Sequence, residues 1–329
     1  MCGMTISNSP STVNLTGEVS DGPTVYVAGH RGLVGGAIWR AFEDKGGVDL
    51  VSRASGELDL RDRNATFEYV SDTRPDTVII SAGKVGGILA NSTYPVDFLS
   101  DNVLIAINLL DACHAANVER VLYLGSSCIY PKMAPQPISE DSILTGPLEP
   151  TNEAYAIAKI AGILHVQGYR RQYGRSWVSA MPTNLYGPGD NFDTTAGHVL
   201  PSMIAKFHAA SRSGEPVVLW GSGSPRREFL HVDDLANALL TILDKYDAPE
   251  TINVGTGSDV SILELAHMIS DSIGGDLQIE WDRSKPDGTP RKLLDVSRLN
   301  GLGWSPSIDL RDGISQTCAW YQENLVTTV

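Results

Sequence analysis

The sequence predicts an α/β protein with a doubly wound parallel sheet and a smaller C-terminal lobe. Runs rich in β-branched residues alternate with helical segments over the first half of the chain. Strands joined through helices pair in parallel, because each crossover returns the chain in the same direction and leaves helices on both faces. The expected strands are TVYVA, VDLV, TVII, ERVLYLG and SWVSAMP, and the expected helices between them are Val34–Asp44, Asn64–Val70, Val96–Ala116 and Asn152–Tyr173.

The composition divides the chain into three parts. Residues 1–22 are rich in Ser, Thr, Asn and Gly and show no periodicity, which predicts a flexible leader. Turn-rich stretches begin after Pro182, so we expect a nucleotide-binding domain over 23–185 and a mainly substrate-binding lobe over 186–329. Segments near 228–256 are expected to return to the first domain, because they have the pattern of a further helix and strand.

Length, composition and charge exclude several classes of protein. The chain has 329 residues, of which 42% are apolar and 19% charged, so it can form ordinary globular cores. Its net charge of −14 opposes binding to nucleic acid and to anionic membranes. The sequence has neither an apolar run of membrane-spanning length nor a secretory signal, which predicts a cytoplasmic protein. The four cysteines include no Cys-x-x-Cys pair, so we expect free thiols and neither a metal site nor a disulfide framework.

A glycine-rich turn follows the first predicted strand. Gly29, Gly32 and Gly35 have the spacing Gly-x-x-Gly-x-x-Gly at the point where the strand leads into a helix. Glycines there let the backbone approach a pyrophosphate, whose charge then lies against free N–H groups at the helix N-terminus. This context predicts a dinucleotide site of the Rossmann type rather than an ordinary turn. Its residues are Gly29, His30, Arg31, Gly32, Leu33, Val34 and Gly35.

The end of the second strand predicts which nicotinamide dinucleotide is bound. Enzymes that use NAD usually place Asp or Glu there to bind the ribose 2′-hydroxyl, whereas this chain has Arg53, and Arg31 lies in the glycine turn. Two guanidinium groups suit a 2′-phosphate, so NADP is the expected cofactor. The alternative is a pair of solvated surface arginines, and Glu57 lies near enough to complicate the assignment.

A tyrosine and a lysine one helical turn apart are candidates for proton chemistry. Tyr155 and Lys159 share one face of a predicted helix. An ammonium beside a phenol stabilises the phenolate, so we expect a lowered Tyr155 pKa and a lysine that also holds the nicotinamide ribose. Ser126 follows the fourth predicted strand, where its hydroxyl can polarise a substrate carbonyl alongside the phenol. The alternative is a capping serine with a surface Tyr–Lys pair.

With the glycine turn and the Ser…Tyr-x-x-x-Lys arrangement, the chain resembles the extended short-chain dehydrogenase/reductase superfamily. From about Thr24 to Trp320 it resembles the GDP-L-fucose synthase family, in the stretches AGHRGLVGGAI, KVGGILANSTYP, LGSSCIYP, LEPTNEAYAIAKIAGI, PTNLYGPGDNF, WGSGSPRREFLHVDD and SKPDGTPRKLLDV. The resemblance implies an enzyme that epimerises GDP-4-keto-6-deoxy-D-mannose at C3 and C5 and then reduces C4 with NADPH. It also implies a homodimer in which Val96–Ala116 and Asn152–Tyr173 pair across a two-fold axis.

The resemblance assigns further residues to the site. Cys128 and His198 match the base and the acid of the epimerisation, and a neighbouring positive group would make the thiol a better base. Each has a plain alternative, Cys128 as a small buried hydrophobe and His198 as a helix cap. Cofactor contacts are implied for Lys159, Pro182, Thr183, Asn184, Leu185 and His198, and nucleotide-sugar contacts for Lys206, Trp220, Arg227 and Lys285. The alternative for these last four is surface solvation or, for Trp220, core packing.

The chain departs from the family pattern at two positions, and two other functions compete with the one that it implies. A second basic residue often follows the Arg53 position, where this chain reads Ala54-Ser55-Gly56, and Lys206 stands where the family commonly has Arg. The nearest rival is a nucleotide-sugar 4-epimerase or another 4-keto-sugar reductase; a simple 4-epimerase needs neither Cys128 nor His198. A rival of another class is a catalytically silent nucleotide-binding protein, which would be expected to lose at least one catalytic group.

Overall fold

The computed structural model describes residues 22–195, 197–274, 277–285 and 287–326, so the predicted leader lies outside the described residues except for its last position. The strands are β1 (Thr24–Ala28), β2 (Asp49–Val51), β3 (Thr77–Ile80), β4 (Arg120–Leu124), β5 (Val178–Pro182), β6 (Asn184–Tyr186), β7 (Val217–Trp220), β8 (Arg226–Arg227), β9 (Phe229–His231), β10 (Ile252–Val254), β11 (Val260–Ser261), β12 (Ile279–Asp282) and β13 (Arg291–Lys292). The helices are α1 (Leu33–Lys45), α2 (Arg63–Thr73), α3 (Ile88–Thr93), α4 (Pro95–Ala115), α5 (Glu153–Tyr173), α6 (Val199–Ser213), α7 (Val232–Lys245), α8 (Ile262–Ile273), α9 (Ser297–Asn300) and α10 (Leu310–Tyr321). Within these ranges, none of the helices is long and apolar enough to cross a membrane.

Six strands form one sheet in the order β10–β5–β4–β3–β1–β2. Every neighbouring pair in this sheet is parallel, which confirms the predicted doubly wound fold class. The strand order reverses at β1, which has β2 on one side and β3 on the other. Open parallel sheets bind ligands in the crevice at the carboxyl ends of the strands beside such a reversal, so the fold places a binding site there.

Alternate residues of β1 face two different helical layers. Val25 and Val27 are buried with residues of α1 and α7, whereas Tyr26 and Ala28 are buried with residues of α4 and α5. All five residues of β1 are buried, as expected for a parallel strand covered on both faces. The carboxyl end of the sheet is thereby fixed between two packed layers.

The first half of the chain has the strands and long helices that the sequence predicts, with ends that differ by at most three residues. The exception is α3, which the prediction missed. This helix has six residues, too few to show a helical period, and it depends on the buried side chain of Asn91. The Asn91 amide donates hydrogen bonds to the carbonyls of Gly86 and Gly87 at 2.7 and 3.1 Å.

The C-terminal half contributes both to the main sheet and to a separate core. β10 lies beside β5 in the main sheet, and α7 packs against α1. A third hydrophobic core joins residues of α6, α8 and α10, including Phe207, Leu265 and Ile314. The smaller sheets pair β6 with β9, β7 with β12, and β8 with both β11 and β13. The domain boundary near residue 186 stays a prediction.

Candidate active site

The glycine turn between β1 and α1 forms a close backbone cradle. Gly29 has a φ of 92°, a left-handed conformation that favours glycine. A Cβ at Gly29 would lie 2.7 Å from the nitrogen of Ala82, and a Cβ at Gly35 would lie 2.1 Å from the Gly29 carbonyl oxygen. Gly32 is the N-cap of α1 and makes no side-chain cap, so the first N–H groups of the helix can face an anion. In the same turn, His30, Leu33 and Val34 are half-buried and Arg31 is exposed.

The guanidinium group predicted to bind a 2′-phosphate lies at the carboxyl end of β2. Arg53 is exposed; its guanidinium lies 5.4 Å from the centre of the Tyr69 ring and donates to the Ser52 carbonyl at 3.0 Å. The Glu57 carboxylate accepts the N–H of Ala54 at 2.8 Å. Glu57 is therefore engaged by its own loop, which weakens the alternative in which it competes with Arg53 for the ribose.

The turn after β4 brings three predicted residues together. Ser126 is the N-cap of a short 3-10 turn, and its hydroxyl accepts the N–H of Cys128 at 3.4 Å. The Ser126 hydroxyl also lies near the phenol of Tyr155 and the Cys128 thiol, where it favours the ionised form of each. Cys128 is buried, with 7% of its surface exposed. One serine hydroxyl thus joins a thiol and a phenol at the carboxyl end of the sheet.

Lys159 lies below this group, one helical turn along α5. Its ammonium donates to the Leu124 carbonyl at 2.9 Å and lies 5.8 Å from the centre of the Tyr155 ring. Burial lowers the pKa of Lys159 to about 8. The predicted lowering of the Tyr155 pKa is wrong for this structure: burial raises that pKa well above its ordinary value, although the nearby Ser126 hydroxyl opposes the rise. Desolvation therefore keeps the phenol protonated.

A lysine that the sequence analysis did not single out faces the Cys128 thiol. Lys292 lies in β13, whose register places it opposite Arg227 of β8. Burial raises the pKa of the Cys128 thiol, and the Lys292 ammonium is the strongest influence that opposes this rise. Burial in turn lowers the pKa of Lys292, while the Glu149 carboxylate favours its charged form. The structure therefore supplies the positive neighbour that a basic thiol requires.

The segment predicted to pass the nicotinamide follows β5. Pro182 ends β5, and Thr183 is buried behind it. The Asn184 side-chain amide donates to the carbonyl of Glu228 at 2.7 Å, and the Thr183 hydroxyl donates to the same carbonyl at 3.3 Å. Leu185 is half-buried. Two side chains of this segment are therefore held by one residue of the β8–β9 connection.

His198 is the N-cap residue of α6. Its side chain makes no cap hydrogen bond, so the plain alternative of a capping histidine is not supported. The surrounding protein lowers the pKa of the imidazole. The hydrogen bonds described for Ser126, Cys128 and Tyr155 do not extend to His198, so its role as the acid stays a prediction.

Arg226 and Arg227 are neighbours in sequence but have different surroundings. Arg226 forms ion pairs with Asp259 at 2.7 Å and with Glu264 at 3.3 Å. Arg227 donates to the Arg226 carbonyl at 2.8 Å; burial lowers the pKa of its guanidinium, and the Glu149 carboxylate opposes this effect. The Arg226 side chain is thus held by acidic residues of the C-terminal lobe. Arg227 instead lies on the face of its sheet that also carries Lys292, its partner in β13.

The other predicted nucleotide contacts lie on separate elements of the C-terminal lobe. Trp220 ends β7 with 54% of its surface exposed, and the Lys285 ammonium lies 5.5 Å from the centre of its ring. Lys206 lies half-buried on α6, where burial lowers its pKa. The structure brings Trp220 together with Lys285, and no contact described here joins Lys206 to that pair.

The fold and the site together define a nicotinamide-dependent enzyme: a doubly wound sheet carries a glycine cradle at β1 and a Ser–Tyr–Lys group at β4 and α5. The chain belongs to the NAD dependent epimerase/dehydratase family, whose model matches residues 25–255.

Within this family, the chain is most usefully compared with three relatives. GDP-L-fucose synthase 1 of Arabidopsis thaliana is 52% identical over 302 residues, which cover 92% of this chain and 94% of the relative. GDP-L-fucose synthase of Escherichia coli (strain K12) is 51% identical over 310 residues, or 91% and 97% of the two chains. The crystal structure of a GDP-L-fucose synthetase from Naegleria fowleri bound to NADP covers 97% of this chain and 98% of its own, with a TM-score of 0.86 at 30% identity. The resemblance predicted from the sequence is confirmed.

Proposed function

We propose that this chain is a GDP-L-fucose synthase, which epimerises GDP-4-keto-6-deoxy-D-mannose at C3 and C5 and reduces it at C4. The observation that carries the proposal is the position of the Cys128 thiol beside the hydroxyls of Ser126 and Tyr155, with Lys292 near the sulfur. A plain reductase uses the two hydroxyls but has no step for a basic thiol. Relatives of similar length that are about half identical carry the same name.

NADP is the cofactor that we propose for this site. A side chain at Gly29 or Gly35 would collide with neighbouring backbone, so the glycines allow the tight turn that brings the first N–H groups of α1 toward a pyrophosphate. Arg53 and Arg31 would bind the 2′-phosphate, and Lys159 would hold the nicotinamide ribose. When bound, the reduced nicotinamide supplies the hydride that the C4 carbonyl accepts. The remaining cofactor contacts are proposed for His30, Gly32, Leu33, Val34, Pro182, Thr183, Asn184, Leu185 and His198.

Epimerisation needs a base and an acid on opposite faces of the sugar. The C4 ketone acidifies the hydrogens at C3 and C5, and the hydroxyls of Ser126 and Tyr155 stabilise the enolate oxygen. Cys128 removes the proton; burial raises the pKa of its thiol, and the Lys292 ammonium partly offsets that rise. His198 returns a proton to the other face. Each centre is inverted, and the number of hydrogens on the sugar is unchanged.

Reduction at C4 uses the same pocket. Burial holds the Tyr155 pKa above its ordinary value, so the phenol is protonated and can donate to the oxygen on C4. The Ser126 hydroxyl lies beside this phenol. Lys159, held on a backbone carbonyl, stabilises the negative charge that the phenol acquires when it gives up its proton.

The nucleotide of the substrate is proposed to lie against the C-terminal lobe. Trp220 is exposed and offers its ring face to a base, with Lys285 beside it. Arg227 and Lys206 would bind the diphosphate through charge-assisted hydrogen bonds. These contacts gather positive charge locally in a chain whose net charge is −14.

The proposed positions of the cofactor and of the substrate nucleotide imply the domain assignment. We propose that 23–185 bind the cofactor and that 186–329 mainly bind the substrate. The segment near 228–256 returns to the first domain in this proposal, which is supported by the pairing of β10 with β5.

The purified protein should oxidise NADPH only when GDP-4-keto-6-deoxy-D-mannose is present. Loss of the NADPH absorbance measures the reduction, and NMR of the product measures the configuration at C3 and C5. Oxidation without inversion would identify a plain 4-keto-sugar reductase. No oxidation would favour a silent nucleotide-binding protein.

Removal of the Arg53 guanidinium should change the cofactor preference. Arg53→Ala is expected to lower the affinity for NADPH about ten-fold, because a charge-assisted contact to the 2′-phosphate is lost. The affinity for NADH should be unchanged. Fluorescence titration of both cofactors measures the two dissociation constants. Arg171→Ala, at an exposed position on α5, is the control and should bind both as the unmodified protein does. Equal losses of affinity for NADPH and NADH in Arg53→Ala would contradict the assignment of Arg53 to the 2′-phosphate.

A homodimer is proposed through α4 and α5. These helices pack side by side and leave apolar side chains exposed, namely Leu104 and Ile107 on α4 and Ile157 and Leu164 on α5. Such a patch is typical of a surface that a partner covers. Sedimentation analysis should show a species of twice 35.3 kDa, and a monomer at micromolar concentration would contradict the proposal.

A cytoplasmic location is also proposed. Cys113, Cys128 and Cys318 are buried free thiols, as predicted, which fits a reducing compartment, and Cys2 lies outside the described residues. Cell fractionation should recover the protein with the cytosolic fraction, and recovery from an oxidising compartment would contradict this.

A further inference from the structure

Glu228 is a fully buried carboxylate between β8 and β9, next to Arg227. Its Oε1 accepts the N–H groups of Thr256 at 2.7 Å and of Gly257 at 2.8 Å. Its Oε2 accepts the N–H of Leu294 at 3.0 Å. One side chain thus fixes the loop after β10 and the segment after β13.

The backbone of Glu228 makes two further connections. Its N–H donates to the Lys292 carbonyl at 3.3 Å, so Lys292 is held close to Glu228 from the β13 side. Its carbonyl accepts the Asn184 amide at 2.7 Å and the Thr183 hydroxyl at 3.3 Å. The positive neighbour of the Cys128 thiol and two residues proposed for the cofactor therefore meet at one residue.

The groups around the Glu228 side chain are hydrogen-bond donors, so the position requires a carboxylate with two accepting oxygens. Among the described residues, its partners are backbone N–H groups and hydroxyls rather than a cation. A carboxylate only accepts hydrogen bonds, so it can satisfy three N–H donors, whereas an amide would turn an N–H toward one of them. The fit is close, because a Cβ at Gly255 would lie 2.3 Å from Oε1. Burial raises the pKa of Glu228.

We propose that Glu228 is a positioning residue whose carboxylate holds Arg227 and Lys292 in register with the nicotinamide-side segment Thr183–Asn184. The inference rests on the proposed function, because that function assigns the roles of these groups. Glu228 does not touch the substrate in this account; it acts through the two cations. Its carboxylate holds the loop after β10 and the segment that carries Lys292, with the Thr183 hydroxyl beside it, whereas its carbonyl holds Asn184. A change of the side chain should therefore perturb the nucleotide-sugar side more than the cofactor side.

The test uses Glu228→Gln, with binding of GDP and of NADPH measured by calorimetry. The side-chain change leaves the carbonyl that holds Asn184, so NADPH affinity should fall by less than GDP affinity. GDP affinity should fall about ten-fold, because an unsatisfied N–H displaces the segment that carries Lys292 and the neighbouring Arg227. Glu264→Gln is the matched control: Glu264 also accepts a backbone N–H, that of Ser261 at 2.7 Å, but lies on α8 away from the site. It should bind both ligands normally.

A second variant keeps the proposal testable if Glu228→Gln does not fold. Glu228→Asp retains the charge but shortens the side chain, so it should lose GDP affinity by about three-fold, less than the amide variant, and again lose less NADPH affinity than GDP affinity. Unchanged GDP affinity, or equal losses for GDP and NADPH, would overturn the proposal in either variant. If the unmodified protein binds GDP and NADPH but does not turn over the 4-keto sugar, the proposed function fails while the positioning role stands.

Discussion

Replacement of the Cys128 thiol by a hydroxyl is expected to stop hydrogen exchange at C3 and C5 of the substrate. A serine hydroxyl is a far weaker acid than a thiol, so the Lys292 ammonium cannot convert it to a useful base at neutral pH. Cys128→Ser should slow deuterium incorporation from solvent by about 10³-fold, as followed by NMR. NADPH affinity should be unchanged, because the glycine turn is not altered.

Cys318→Ser is the matched control for this variant. Cys318 is also a buried free thiol, but it belongs to the hydrophobic core of the C-terminal lobe. Cys318→Ser should catalyse hydrogen exchange at C3 and C5 of the substrate at the rate of the unmodified protein. Equal losses in the two variants would indicate a general cost of a buried hydroxyl, and normal exchange in Cys128→Ser would refute the role of the thiol as base.

Tyr155→Phe is expected to have the opposite pattern, with loss of reduction and survival of exchange. The phenol carries the proton for the oxygen on C4, because burial holds its pKa high. Its removal should lower the rate of NADPH oxidation by about 10³-fold. Exchange at C3 and C5 should continue at a reduced rate, since Ser126 still faces the enolate oxygen and Cys128 still removes the proton.

The control for the tyrosine variant lies at the other end of the same helix. Tyr173 is 52% exposed in the last turn of α5, so Tyr173→Phe should leave reduction and exchange unchanged. If Tyr155→Phe instead abolished exchange and spared reduction, the division of labour between the phenol and the thiol would be reversed.

The parts of the fold that the sequence predicted are those that local pattern determines. β1 is a continuous apolar run because both of its faces are buried, and α5 has the length and period of a long helix. α3 was missed because it is short and is stabilised by one buried side chain, Asn91, rather than by a period. Pairing of two-residue strands such as β8 with β13 depends on tertiary packing, which a single sequence does not display.

The candidate site likewise contains residues that the sequence predicts and residues that only tertiary packing brings in. Ser126 was predictable because the carboxyl end of a parallel strand is a binding edge, and Tyr155 was predictable from its spacing to Lys159. Lys292 was not singled out, although it ends the stretch KPDGTPRK, because it reaches the thiol only through the pairing of β13 with β8. The error in the Tyr155 pKa has a related cause. Desolvation depends on how tightly the phenol is packed, and residue spacing does not report packing.

The central claim is that one pocket inverts two carbons and reduces the carbonyl between them. The most direct test is to run the unmodified enzyme with GDP-4-keto-6-deoxy-D-mannose and NADPH in deuterated water and to locate deuterium in the product by NMR. The account predicts GDP-L-fucose with deuterium at C3 and C5 and ordinary hydrogen at C4. A reduced product that has the starting configuration and no deuterium at C3 or C5 would contradict it.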